Sequence, residues 1–199
     1  MSAHGRRVPA RLSTLIAVAV GAAFAVAAPV VRADPIDLAA CNTSTLTQPF
    51  APWADLASYE PAPDGDFESA AWTLSGSARS VRGSEPYAAT GARGSWSLAL
   101  PAGSSAQSPS TCVNAAYPTV RFFIGGTGSV LVTIVYGNLD IPAGVAVAGV
   151  CWLPTPVMLT SSAVLAATSN GVAQVSVRLT ALSGTPRVDD VFIDPWNRG

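Results

Sequence analysis

Beyond residue 66, apolar side chains tend to fall at every second position, which is the period of a half-buried strand. Trp96, Leu98 and Leu100 take one face while Ser95, Ser97 and Ala99 take the other. Ala173, Val175, Val177 and Leu179 repeat the pattern against Gln174, Ser176, Arg178 and Thr180, positions that a 3.6-residue period would scatter around a helix axis. Between these segments, residues 120–124 and 130–136 are rich in β-branched and aromatic residues. Gly125-Gly126-Thr127-Gly128 reads as a hairpin turn joining them, and the second run, apolar on both faces, predicts a central strand. Turn-forming residues recur at Ser75-Gly76, Pro101-Ala102-Gly103, Gly137-Asn138, Asn170-Gly171 and Ser183-Gly184, with no crossover helix between them. The expected fold is all-β, an antiparallel two-sheet β-sandwich. Residues 154–167 stay open between a strand and a short helical turn.

The N-terminal third breaks the alternation. Arg6, Arg7 and Arg11 precede an uncharged apolar stretch from Leu12 to Val31, and Val31-Arg32-Ala33 offers small residues at the positions a signal peptidase reads. Residues 1–33 are therefore predicted to be a signal peptide cleaved before Asp34, which places the mature chain outside the cell or in its envelope. An uncleaved anchor is the alternative, since about 20 apolar residues can span a bilayer. No later apolar run is long enough, so no membrane span is expected after cleavage. Residues 34–66, rich in proline and without a sustained period, are expected to form an extended arm packed on a sandwich domain of residues 67–199.

Composition narrows the chemistry. The single histidine is His4, inside the predicted leader, and the chain has no lysine. A mature chain without either lacks the usual base near neutral pH and the Schiff-base amine, and its serines have no partner for a nucleophilic dyad or triad. Glycoside hydrolysis survives this filter, because it needs only two carboxylates, which Glu60, Glu68, Glu85, Asp140, Asp189 and Asp194 could supply. Seven scattered arginines against twelve acidic residues give the mature chain a formal charge of −5, with no basic stripe for a nucleic acid. The three cysteines are an odd set. Pairing Cys41 with Cys112 closes a loop of about 70 residues, worth roughly 4 kcal/mol in the chain-entropy model, and leaves Cys151 as a buried small hydrophobe, with a reactive thiol or an intermolecular bridge as the alternative.

Two distant segments together carry a resemblance. Asp64-Gly65-Asp66-Phe67-Glu68 with Trp72-Thr73-Leu74-Ser75-Gly76 resembles the opening of galactose-binding-like jelly-roll domains, and Val188-Asp189-Asp190-Val191-Phe192-Ile193 resembles their closing strand. Many carbohydrate-binding modules share that fold. The segments 46–50, 100–106 and Asp194-Pro195-Trp196 are further similar to a group of secreted bacterial proteins that supplies a fold without an activity. The resemblance implies a jelly-roll sandwich and a structural calcium held by Glu68 and Asp190, with backbone carbonyls near Asp66. Read from the residues alone, Asp64 and Asp66 would instead shape a turn, with Asp189 or Asp190 solvated on an edge strand.

Aromatic residues are the remaining lead, because sugar rings pack their C–H faces on Trp or Tyr. Trp72, Trp96 and Phe122 follow the strand periods and are assigned to the core. Tyr87, after Glu85-Pro86, and Trp53, beside Pro52, are the candidate ligand-binding rings. The expected function is a non-catalytic domain that binds glycan or another cell-envelope component. A structural or protein-contact domain and a carboxylate-based glycosidase are the alternatives, and the sequence leaves the oligomeric state open.

Overall fold

A computed structural model describes residues 46–114, 119–159 and 172–194. The predicted leader, Cys41, Asn170-Gly171 and Trp196 lie outside the described residues. The strands run in chain order as β1 (Glu60–Pro61), β2 (Thr73–Ser75), β3 (Arg79–Arg82), β4 (Trp96–Ala99), β5 (Ser105–Gln107), β6 (Thr111–Asn114), β7 (Thr119–Tyr136), β8 (Leu139–Ala148), β9 (Leu153–Pro154), β10 (Met158–Leu159) and β11 (Val172–Asp194). All pairings among them are antiparallel, and the described residues contain no α-helix, only a 3-10 turn at Ala51–Trp53. The expected all-β sandwich is the architecture that forms, built as a curled sheet around a main apolar core.

β7 and β11 are the spine. They pair along almost their whole length, from Ser176↔Val135 to Asp194↔Thr119, and the shorter strands attach to them. Alternation explains the core: Val130, Val132 and Ile134 of β7 lie beside Ala173, Val175, Val177 and Leu179 of β11 on the same buried face, and Leu98, Leu100, Trp72, Phe67 and Phe122 belong to the same cluster. β7 lies between β11 and β8, the central place its two-sided apolar character predicts. Trp96 departs from expectation. It is half-buried outside that cluster, with the Arg82 guanidinium 5.0 Å from its ring centre.

The predicted hairpin at residues 125–128 does not form: β7 continues through it, and β11 continues through Ser183-Gly184 alongside. Gly126 and Gly128 do take positive φ, 91° and 98°, but within a ladder that keeps Thr127 opposite Thr185 and Gly128 opposite Gly184. Glycine is needed here for close approach, since a Cβ on Gly128 would lie 1.9 Å from the Ser183 carbonyl oxygen. The other predicted reversals within the described residues fall between strands: Gly137-Asn138 joins β7 to β8, and Pro101-Ala102-Gly103 joins β4 to β5. Met158–Leu159, in the ambiguous stretch, is strand.

Candidate functional site

The outward faces of β7 and β11 are not left to solvent at one end of the spine. Arg121, Phe123 and Gly125 alternate outward on β7 against Phe192, Asp189 and Arg187 of β11. Segment 46–59 folds over them. Phe50 stacks on Phe123 with centroids 5.4 Å apart and meets Tyr59 and Phe192 edge-on, so these four rings form a second buried cluster. Asp55 organises the segment by accepting hydrogen bonds from the Ala57 N–H (3.0 Å) and the Tyr59 hydroxyl (2.7 Å) while it pairs with Arg121. Arg121 in turn lies 4.3 Å over the Phe50 ring and donates from Nε to the Thr155 carbonyl. Burial works to raise the Asp55 pKa, but its hydrogen bonds from Tyr59 and Ala57 and the nearby arginine hold it below the usual carboxylate value. Burial and the bond to Asp55 push the Tyr59 hydroxyl up to about 12.

On the solvent side of this cluster the two aromatic candidates come together, although 34 positions separate Trp53 from Tyr87 in sequence. Trp53 closes the 3-10 turn that Pro52 favours, and the left-handed Ala54 (φ 62°) ends it. Its ring meets Tyr87 edge-on at 4.9 Å, and both contact Phe123. Tyr87 keeps 43% of its surface exposed, and its hydroxyl donates to the Trp152 carbonyl at 2.8 Å. Trp152, half-buried, packs over Gly125, where a Cβ would sit 3.1 Å from the indole. The Arg187 guanidinium lies 5.4 Å over that indole. Trp53, Tyr87 and Trp152 thus form an aromatic rim ending in a cation. Sequence reasoning singled out the first two rings. It missed Trp152 and Arg187, whose only signal was their neighbours Cys151 and Pro186.

Tyr87 is held from below by carboxylates. Glu85, wholly buried, accepts from the N–H groups of Tyr87 and Ala89, and its own N–H donates to Asp189 Oδ2 at 2.8 Å. Asp189 Oδ1 accepts from the Asp190 N–H, and the Asp190 side chain lies near enough to that of Glu85 for the two carboxyl groups to act on each other. The arrangement needs the bulge at the end of β11, where the register slips between Asp189 and Phe192 and Asp190 takes φ 46°. Gly65 and Ala62 dock their backbones on Val191, which brings Asp66 close enough for its charge to act on Asp190. Burial is the main reason that Asp189 is raised to about 7, and burial followed by the Asp189 and Glu85 charges raises Asp190 to about 8. Neither aspartate is solvated on an edge strand, since β11 is central and both are buried.

Glu68 is engaged elsewhere. Its exposed carboxylate accepts from the Ser95 and Trp96 N–H groups at 2.5 and 2.8 Å, fixing the entry to β4, while Asp190 meets Glu85 instead. Asp64 shapes the turn, accepting from Ser69 N–H and hydroxyl and from Ala71 N–H; Asp66 accepts a long bond from the Glu68 N–H at 3.4 Å. Among the described residues, no three His, Cys, Asp or Glu side chains are gathered as a metal cage.

No protein-family model matches the sequence, and no curated protein matches it. Among solved structures the chain is similar to TmCBM61 in complex with beta-1,4-galactotriose, at 16% identity and TM-score 0.40 over 65% of this chain and 90% of that one. It is similar to the CBM22-1 xylan-binding domain from Paenibacillus barcinonensis, at 10% identity and TM-score 0.44 over 69% and 94% of the two chains. A third is the family 11 carbohydrate-binding module from Clostridium thermocellum in complex with a beta-1,3-1,4-mixed-linked tetrasaccharide, at 13% identity and TM-score 0.43 over 68% and 95%.

Proposed function

We propose that this protein is an exported, non-catalytic β-sandwich domain that binds a glycan or another component of the cell envelope. The observation that carries the reading is the rim of Trp53, Tyr87 and Trp152, three partly exposed rings set beside a guanidinium. Ring faces with an adjacent polar group suit a sugar, whose C–H face packs while its hydroxyls bond. Native gel electrophoresis of the mature chain through soluble polysaccharides tests it. Retardation by at least one polymer is expected, abolished in Trp53→Ala and reduced in Tyr87→Phe less than in Tyr87→Ala. Unchanged mobility in all of them would refute glycan binding.

The acids that a hydrolase would need support the non-catalytic part. Glu85 and Asp189 spend their oxygens on backbone N–H groups, and Glu68 does the same at the surface. A second reading, protein contact, is favoured by β8, which among the described strands pairs with β7 alone and leaves Val145 50% and Val147 74% exposed, with Val150 beyond it at 94%. A protein-contact domain would bind no polysaccharide in the same gels.

We propose in addition that Asp190, with backbone oxygens near Asp66, holds a structural calcium, and that Glu68, only one of whose carboxylate oxygens accepts from Ser95 and Trp96, joins it as the resemblance implies. Two like charges in contact inside a protein require a proton or a cation between them, and hard oxygen donors suit calcium. For the cysteines, Cys41–Cys112 remains the proposed disulfide, supported by Cys151, which is exposed rather than buried, and free. Peptide mapping of the unreduced mature protein is expected to recover Cys41 and Cys112 in one linked fragment and to find Cys151 alkylated. A linked Cys151 would overturn that pairing.

A further inference from the structure

The guanidinium of Arg187 is half-buried, yet among the described residues no carboxylate pairs with it. Arg121 pairs with Asp55 and Arg178 with Asp140, whereas the unpaired Arg79, Arg82 and Arg93 are exposed. Nη2 of Arg187 donates to the Gly83 carbonyl at 2.6 Å, to the Arg82 carbonyl at 3.0 Å and to Ser97 Oγ at 2.5 Å. Those three oxygens fix the orientation of the group without cancelling its charge. Among the described residues, Nε is buried with no acceptor and nothing accepts from Nη1. A half-buried cation with donors unspent is an expensive feature.

We infer that Arg187 is a specificity-determining residue for a carboxylate on the ligand, so that the sugar taken at the aromatic rim is a uronic acid. This rests on the proposed glycan reading and sharpens it. The guanidinium lies over Trp152, and the Trp152 carbonyl accepts the Tyr87 hydroxyl, so the cation and the rings belong to one surface. A ring packed on the rim brings its substituents to Nη1, the guanidinium nitrogen that no described residue engages. A carboxylate accepting from Nη1 makes a charge-assisted hydrogen bond, which a neutral hydroxyl does not. The mature chain is acidic overall, with seven arginines against twelve acids, so a polyanion would be repelled unless a defined cation receives it.

Three forms of one polymer test this on unaltered protein: polygalacturonate, its methyl ester and its carboxyl-reduced galactan. Binding to polygalacturonate should be about tenfold tighter than to either neutral form, and Arg187→Gln should remove that preference while thermal unfolding shows the variant folded. Should that variant fail to fold for want of its bonds to Gly83 and Ser97, Arg187→Lys, which keeps the charge, is expected to retain part of the preference. Equal affinity for all three forms overturns the inference and leaves the glycan reading standing. Binding to none of them, when a neutral polysaccharide of another class does bind, overturns the inference alone. Binding to no polysaccharide of any class removes both.

Discussion

Replacing Gly128 with alanine is expected to destabilise the protein by about 3–5 kcal/mol, read as a lowered midpoint in equilibrium urea unfolding. Two separate costs add at this residue. Its φ of 98° disfavours any side chain, and the new Cβ would meet the Ser183 carbonyl at 1.9 Å and the Gly184 Cα at 2.8 Å. Both of those atoms are backbone of β11, locked by the ladder, so neither can swing away as a side chain would. Gly103→Ala is the control that separates the two costs. That residue has φ 79° in the turn between β4 and β5, with nothing within 4 Å of an added Cβ, so only the conformational cost remains, about 1–2 kcal/mol. Equal losses at the two sites would mean that close approach between β7 and β11 is not what glycine provides there.

The same residue shows where sequence patterns stop informing. A glycine run between two β-rich segments has the composition of a hairpin turn, and nothing local distinguishes a reversal from two backbones pressed together. The distinction lies in the partner, and Ser183-Gly184 is more than fifty residues away. The strand faces were legible because alternation is local: Val175, Val177 and Leu179 point into the core as their spacing requires. Trp96 misled because a strand near its end can satisfy the period while half of an indole stays outside.

For the candidate site, chemistry was legible and connectivity was not. Trp53 and Tyr87 stood out because each is a large ring beside proline, away from the alternating strands. Their contact, however, depends on Phe123 and on an arm that folds back over the sheet. The Phe-Glu and Asp-Asp-Val segments pointed to acids meeting from opposite ends of the chain, and Asp190 does meet an acid. That acid is Glu85 rather than Glu68, because Glu68 lies where Ser95 and Trp96 present N–H groups to it. A glutamate followed by proline and tyrosine carries no local sign that its side chain will turn inward and bond its own loop.

In metal-free buffer, raising the pH from 5 to 9 is expected to destabilise the protein by on the order of 3–5 kcal/mol, seen as a falling thermal midpoint. The sign follows from the direction of the shifts. Burial raises Asp189 to about 7, and burial with the neighbouring Asp189 and Glu85 charges raises Asp190 to about 8, both from an ordinary value of 3.8. Between those limits the folded chain keeps protons that the unfolded chain has released, so each rise in pH favours unfolding. The stabilisation is complete below about pH 4 and disappears as pH climbs through 7 and 8. Asp190→Asn, which keeps the shape and carries no charge, should flatten the profile. Calcium must displace the same protons, so it should raise the midpoint strongly at pH 8 and little at pH 5, with protons released on binding. A falling profile that calcium leaves unchanged would assign the site to protons alone and remove the ion from the proposal. A midpoint that rises with pH in metal-free buffer would contradict the buried Glu85–Asp189–Asp190 arrangement itself, because these are the groups that give the profile its sign.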